Sequence, residues 1–423
     1  PRTVQLKGAV SGSMEQLAVS DLQLLVKDSG LDISLTGAME NVLDYQGGSA
    51  DLNVNLESTS IIGAYIGQDI PSFGPVKGLA KLSSSGKALQ LESLQLDLQD
   101  PALSARIAGS AEKIGRSNEE KFAVSGIDIK AEAATDQLAE ILTRAGVEVP
   151  VEVPSSVVVK VASSGSLDQL EITDLLATAE DSGVELKLTG TVANIVDQTG
   201  VAAQLSGRVD NTETLTRFSG VEVPALGSLH LKSNFSSAED TYRLDDLELA
   251  LDGNLIQAKA TAAIADLMAL TKAAEGAEAY ARAGIDVSVD METGALAEIG
   301  TLAGVATIPD LGTLNIQGRL VSSDQSLALE HLDLALSGDE VEAKVKAAVA
   351  DVMVLAGVAQ DRKNFGKAGI DLTLEANTSS IANLLGKVSP GIDLPELGSL
   401  ELDAHLGSTE ASLTLDTLKA SLT

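Results

Sequence analysis

Apolar and polar residues alternate along most of the chain, and the alternation slips by one residue at a recurring place. Six segments read apolar-x-apolar-x-x-apolar-x-apolar-x-apolar. They are Leu17/Val19/Leu22/Leu24/Val26, Leu89/Leu91/Leu94/Leu96/Leu98 and Leu170/Ile172/Leu175/Ala177/Ala179 in the first half. The second half has Tyr242/Leu244/Leu247/Leu249/Leu251, Leu327/Leu329/Leu332/Leu334/Leu336 and Leu413/Leu415/Leu418/Ala420/Leu422. Strict alternation marks a strand with one apolar and one polar face. The slip would turn part of each set to the other face unless a β-bulge absorbs the extra residue. The pattern therefore predicts six bulged strands, each holding five apolar groups on one side.

A second signature precedes five of these segments: an aliphatic residue, a proline and, in four copies, a nearby glycine. The copies are Ile70-Pro71 with Gly74 and Pro75, Val149-Pro150 with Pro154, Val223-Pro224 with Gly227, Ile308-Pro309 with Gly312, and Leu394-Pro395 with Gly398. Their spacing is roughly eighty residues, the mark of a repeat protein. Each copy parses into an opening strand, a short helix, the proline turn, a strand, the bulged strand and a closing strand. Ser, Thr or Asn residues at the helix starts predict caps for helices over 60–66, 135–145, 211–218, 293–303 and 379–386. The closing strands fall near 103–111, 184–192, 255–264 and 341–349. Ala- and charge-rich excursions follow two of them, over 264–283 and 350–367. The predicted organisation is a partial repeat over 1–46, four full repeats over 47–121, 122–200, 201–283 and 284–368, and a partial repeat over 369–423.

Short turns between half-apolar strands predict antiparallel pairing. Roughly twenty strands in line exceed what a flat open sheet sustains. A membrane barrel needs aromatic girdles, and the chain has only five Phe, four Tyr and no Trp. A sandwich array needs about seven strands per module and no recurrent helix. The remaining fold class is mainly β with short helices: an elongated, strongly curved antiparallel sheet, a repeating β-groove or half-pipe with about four strands plus one helix per repeat. Its apolar face either packs against itself as a dry core or stays open and takes an apolar filling such as acyl chains.

Composition narrows the chemistry. With 29 Lys+Arg against 61 Asp+Glu, the formal charge is −32, which opposes nucleic acid. The same charge suits a polar exterior that keeps an apolar-lined object soluble. The absence of Cys excludes disulfides, thiolate catalysis and cysteine-ligated metals. The three histidines, His230, His331 and His405, are separate in sequence and read as surface or bulge residues. No nucleophile elbow, phosphate loop or metal-protease motif is present, so no enzyme, cofactor, metal site or small-molecule substrate is expected. No apolar run is long enough to span a bilayer as a helix. The chain opens at Pro1 and stops within a repeat, which predicts a piece of a longer protein.

The stretch from Leu56 to Pro75 (LESTSIIGAYIGQDIPSFGP), followed by Leu89 to Leu98 (LQLESLQLDL), resembles the repeats of the AsmA-like family. Those are bacterial proteins of the bridge-like lipid-transfer group. The resemblance implies a repeating β-groove in the Gram-negative periplasm. It also implies an inner-membrane anchor outside this chain, membrane contact through the flanking segments, and phospholipids as cargo or an influence on outer-membrane assembly. The expected lining residues are those of the bulged strands: Leu22 and Leu24, the five leucines from Leu89 to Leu98, Leu170, Ile172 and Leu175, the leucines from Leu244 to Leu251 and from Leu327 to Leu336, and Leu413, Leu415 and Leu418. The competing expectations are a self-packed scaffold or adhesin-like stalk, and an outer-membrane protein assembly factor that conducts no lipid.

Overall fold

The computed structural model describes residues 2–13, 15–44, 46–85, 88–116, 122–238, 241–271, 277–294, 296–302, 308–323, 326–357, 366–388, 398–409 and 412–423. The chain opens with β1 (Thr3–Gly12), β2 (Leu17–Asp28) and β3 (Leu31–Met39). Next come β4 (Ser49–Leu56), α1 (Ser60–Ile66), β5 (Val76–Ser85), β6 (Ala88–Gln99) and β7 (Ser104–Arg116). The following group is β8 (Phe122–Thr135), α2 (Leu138–Arg144), β9 (Ser156–Ser166), β10 (Leu170–Asp181) and β11 (Val184–Asn194). After it stand β12 (Thr199–Val209), a 3-10 turn (Thr212–Thr214) leading into α3 (Leu215–Ser219), β13 (Ser228–Ala238), β14 (Thr241–Asp252) and β15 (Gln257–Ile264). Helices α4 (Leu267–Thr271) and α5 (Ala277–Ala283) precede β16 (Ile285–Thr293), α6 (Leu296–Leu302), β17 (Thr313–Ser322), β18 (Leu327–Ser337) and β19 (Val341–Val349). The chain ends with α7 (Val352–Gly357), β20 (Ile370–Thr378), α8 (Ile381–Val388), β21 (Leu400–Thr409) and β22 (Ser412–Leu422).

These 22 strands belong to one antiparallel sheet that does not close on itself. A helical segment follows β4, β8, β12, β16 and β20, so one recurs after every fourth strand, and α4 with α5 after β15 and α7 after β19 are additional. The expected turn at Leu394-Pro395 lies outside the described residues, as do 295 and 303 of the fourth expected helix. Parts of the two excursions, 272–276 and 358–365, are outside them too.

The chain divides into two compact units, Pro1–Ala203 with Arg217–Gly220, and Gln204–Thr216 with Val221–Thr423. In the first unit, β1 to β11 form a meander in which each strand pairs with its neighbours in sequence. In the second, β13 to β22 do the same. Short connections make this the least costly pairing, because neighbouring strands need only a tight turn to meet.

The bulges sit where the phase slips. In β6 the register shifts at Lys81/Leu82, so that Leu98, Leu96, Leu94, Leu91 and Leu89 pair with Val76, Gly78, Ala80, Leu82 and Ser84. Those five partners alternate without a break, so all five leucines stand on one face. The same shift occurs in β2, β10, β14, β18 and β22. In β2 and β14 the absorbing residue is an aspartate in the left-handed region, Asp21 and Asp246, both with φ 51°. A short polar side chain tolerates that conformation better than a branched one.

The connections at the helices are held by threonine hydroxyls. Thr59 Oγ1 donates to the Pro71 carbonyl at 2.5 Å and accepts from the Phe73 amide at 2.9 Å. Thr212 repeats this with Pro224 at 2.6 Å and the Leu226 amide at 2.8 Å. At α1 the cap is expected at Ser60; the N-cap residue is instead Thr59, whose side chain serves the proline loop and makes no cap bond. At α2 the N-cap position holds Gln137, while Thr135 accepts from its amide. Asn211 caps the 3-10 turn as expected, accepting from Glu213. The glycine of the proline turn has a steric cause. Gly227 (φ 129°) and Gly312 (φ 110°) lie against the backbones of Asp252 and Gly253, and of Ser337 and Gly338, leaving no room for a Cβ.

Deleting Asp246 tests the bulge. Without this extra residue β14 alternates strictly, so Tyr242, Leu244, Leu247, Leu249 and Leu251 stay on one face, and the deletion is expected to keep the fold. Asp246→Gly, which relieves the backbone at the same position, is expected to leave stability unchanged or raised. Urea unfolding checks both, and a deletion that unfolds the protein contradicts the bulge assignment.

Candidate functional site

Register pairing carries the apolar face from strand to strand. In the first unit one row runs Leu6, Leu24, Leu35, Leu52, Ala80, Leu94, Gly109, Ile129 across β1 to β8. The adjacent row runs Val26, Ile33, Val54, Gly78, Leu96, Ile107, Ala131, Val161, Leu175 from β2 to β10. In the second unit the row Leu231, Leu249, Ala260, Val289, Gly318, Leu332, Ala347, Leu372, Leu406, Leu415 crosses all ten strands from β13 to β22. Its neighbour contains Leu251, Ala258, Met291, Ile316, Leu334, Val345 and Leu374. Each unit thus presents an apolar surface built from one side of the strands that these rows cross.

Among the described residues only short helices approach the strands, α4 at β14, α5 at β17 and β18, and α7 at β18, and no continuous second layer covers that surface. The accessible area is 25263 Å² for 43.4 kDa. A compact protein of this mass exposes roughly 15,000 Å², and two separate compact halves roughly 18,000 Å². Among the described residues no large side chain is fully buried. Leu22, Leu24, Leu89, Leu91, Leu94, Leu96 and Leu98 are half-buried, and so are Leu170, Ile172, Leu175, Leu244, Leu247, Leu249 and Leu251. In β18, Leu327 is buried, while Leu329, Leu332, Leu334 and Leu336 are half-buried. The strand β22 stands apart. Its Leu415 and Leu418 are 53% and 60% exposed, and Leu413 is 37% exposed.

Hollows occur on both sides of the sheet. An apolar one of about 320 Å³ is lined by Val19, Leu22, Met39, Val42, Leu82 and Leu89, at the ends of β2, β3, β5 and β6. A larger one of about 790 Å³ lies over the polar face, among Thr36, Asp51, Asn53, Lys81, Gln95 and Lys130. Concavity is therefore not confined to the apolar side. A twisted sheet is saddle-shaped and offers a hollow to each face along a different diagonal.

The polar face is charge-matched. One row reads Lys27, Asp32, Asn55, Lys77, Asp97, Arg106, Glu132, Lys160 from β2 to β9. Within it Lys27 meets Asp32 at 3.1 Å, Arg106 meets Asp97 at 2.7 Å, and Lys160 meets Glu132 at 2.9 Å. These pairs fix register more than they add stability, because they are solvated.

The helices of the first unit dock on hairpin aspartates. Tyr65 of α1 donates to Asp28 at 2.7 Å, Arg144 of α2 reaches Asp100 at 2.8 Å, and Arg217 of α3 reaches Asp181 at 3.4 Å. The Tyr65 hydrogen bond, with the Ser29 amide, draws the Asp28 carboxyl down to about 2. At Asp100 burial works in the opposite direction, but the Ala102 and Gly74 amides and Arg144 outweigh it and the carboxyl falls. Asp181 falls chiefly through the Ser155 amide. In the second unit Arg319 lies 2.8 Å from Asp286 and 3.0 Å from Glu330, and its hydrogen bond lowers the Asp286 carboxyl.

One cluster was not visible in sequence. His405 Nε2 stands 3.0 Å from Asp371 Oδ1, and Nδ1 stands 3.4 Å from Asp416 Oδ2. The three residues come from β20, β21 and β22. Its signal was the recurrence of Gly-Ile-Asp at 284–286 and 369–371, read together with strand register. Among the described residues no group of three or more His, Asp or Glu is arranged to hold a metal ion, and no helix is long and apolar enough to cross a membrane. Compared with known proteins, the sequence matches no family model and no curated protein.

The depressed Asp28 carboxyl has a testable consequence. Its contribution is present above the ordinary carboxylate range and is lost as pH falls toward about 2. In Tyr65→Phe the Asp28 titration midpoint, followed by carboxyl NMR, is expected to rise from about 2 toward 3.8. A midpoint that stays put contradicts the Tyr65 contact.

Proposed function

We propose that this chain carries phospholipid acyl chains along its apolar face, as part of a periplasmic bridge between the inner and outer membranes. The observation that carries the reading is the row of aliphatic side chains that crosses strand after strand with no continuous protein layer over it among the described residues. Exposed apolar surface of that extent on a soluble protein calls for a partner. Acyl chains suit it chemically. Each methylene removed from water contributes about 0.8 kcal/mol, and such contact needs no directional bond, so a chain can shift from row to row.

The side chains support passage more than tight fixation. Leu, Val, Ile and Ala make a smooth wall, and the few aromatics supply no cage. A polar headgroup then remains in water beyond the rim while the tails lie on the sheet. The compartment and the anchoring in the inner membrane rest on the resemblance of the 56–98 stretch to AsmA-like repeats.

Mass spectrometry of organic extracts tests this directly. Phospholipid is expected to co-purify with the full chain at far above trace amounts. The double variant Leu96→Asp, Leu249→Asp places a carboxylate in each unit's apolar row and is expected to lower bound lipid about tenfold or more. Circular dichroism and the unfolding midpoint establish that the variant is folded. Clean extracts from the parent, or undiminished lipid in the folded variant, point instead to a stalk whose apolar face packs on itself.

A further inference from the structure

We propose that His405 is a pH-responsive staple holding β20, β21 and β22 together, at the register position where the preceding copy has a permanent arginine staple. The equivalence is read from strand pairing. Leu314 and Leu400 each pair with the threonine that ends the strand before, Thr293 and Thr378. Aligned on that pairing, Arg319 of β17 coincides with His405 of β21. Asp286 of β16 likewise coincides with Asp371 of β20, and both follow a Gly-Ile step. Glu330 and Asp416 both follow the second leucine of a bulged strand, Leu329 and Leu415. Two copies therefore place one cation between two carboxylates of the flanking strands, and only the cation differs.

The difference is chemical. Arginine stays charged at any pH a cell meets, whereas an imidazole ordinarily gains its proton near pH ~6.5. Protonated, His405 offers an N–H on each ring nitrogen, one toward Asp371 and one toward Asp416. Neutral, it has a single N–H, and one carboxylate then faces a lone pair. The other charged groups nearby are Glu375 on β20, Asp403 on β21, and Lys419 on β22. Lys419 is engaged with Asp403 at 3.5 Å. Thr373 and Thr417 lie directly across from His405, and the next cation in that row, Lys346 of β19, is two strands away. No fixed positive charge stands between Asp371 and Asp416 among the described residues.

The strand that the staple controls is the exposed one. All of β22 is exposed except Thr414 and Thr417, and among the described residues it pairs with β21 alone. Its hold on the sheet is thus the part most responsive to one added or lost pair of contacts. The sign follows from the cation. The staple is complete when the imidazole is charged and each carboxylate faces an N–H, and it is weakened when the imidazole is neutral.

Hydrogen exchange with mass spectrometry on the full chain, corrected for intrinsic rates, tests this at pH 5.5 and pH 8. Protection of peptides covering 412–422 is expected to be about threefold to tenfold higher at pH 5.5, while the β17–β18 peptides show no such change. His405→Arg is expected to hold the higher protection at both pH values, and His405→Gln the lower. Arg319→His is expected to transfer the pH dependence to β17–β18. Equal protection of β22 at the two pH values overturns the proposal, as does pH dependence that survives in His405→Arg or His405→Gln. If glutamine unfolds the terminal strands, the arginine variant alone decides. No lipid enters the experiment, so its outcome is independent of the proposed function.

Discussion

The structure depends on keeping five apolar side chains of one strand on the same side across a break in alternation. A strand that bent without a bulge would place Leu94, Leu96 and Leu98 on one face and Leu89 and Leu91 on the other. The neighbouring strand β5 alternates without interruption, so its Val76, Gly78, Ala80 and Leu82 can meet β6 only if one residue is absorbed. Every copy meets this constraint in the same place, and the apolar rows of both units follow from it. A bulge also raises local twist, which explains why hollows open on both faces.

A single-layered sheet has an unusual energy balance. Backbone pairing links strand to strand along each meander, yet most of the apolar side chains in the rows reach only partial burial through lateral contact with their neighbours in the same face. Gly78 against Leu96 and Gly109 beside Leu94 show small residues placed opposite large ones, so the surface stays even. The charge-matched row on the other face sets register without requiring burial. The threonine hydroxyls and hairpin aspartates then fasten α1, α2 and α3 to the strand ends, where they brace the connections. What remains unsatisfied is apolar area, which a greasy ligand or a protein layer removes from water.

Much of this was legible in the chain itself. The phase slip exposed the bulges because period two is a strong signal, and the proline spacing exposed the four-strand repeat. Helix positions followed from Ser, Thr and Asn, and Asn211 caps as expected, but at α1 and α2 the roles differ. Thr59 and Thr212 turn their hydroxyls to the proline loop because a carbonyl and an amide of that loop converge on them, a geometry that no local pattern encodes. The His405 cluster was hidden for a related reason: Asp371 lies 34 residues away in sequence, and only strand pairing brings it and Asp416 to His405 from either side. The hollow over the polar face was equally invisible, since it arises from twist across six strands and not from any one segment.

The most direct measurement of the central claim is the accessibility of spin labels on the two faces of the sheet. The chain contains no cysteine, so single cysteines at Leu52, Leu96, Leu249 and Leu334 report on the apolar rows, and at Lys81 and Lys259 on the polar side. If the apolar rows are uncovered, their labels in the delipidated protein are reached by both oxygen and a water-soluble nickel chelate, and added phospholipid excludes the chelate while oxygen access persists. Labels shielded from both reagents before any lipid is added would mean that the face is sealed by protein, and the open-surface picture would be wrong.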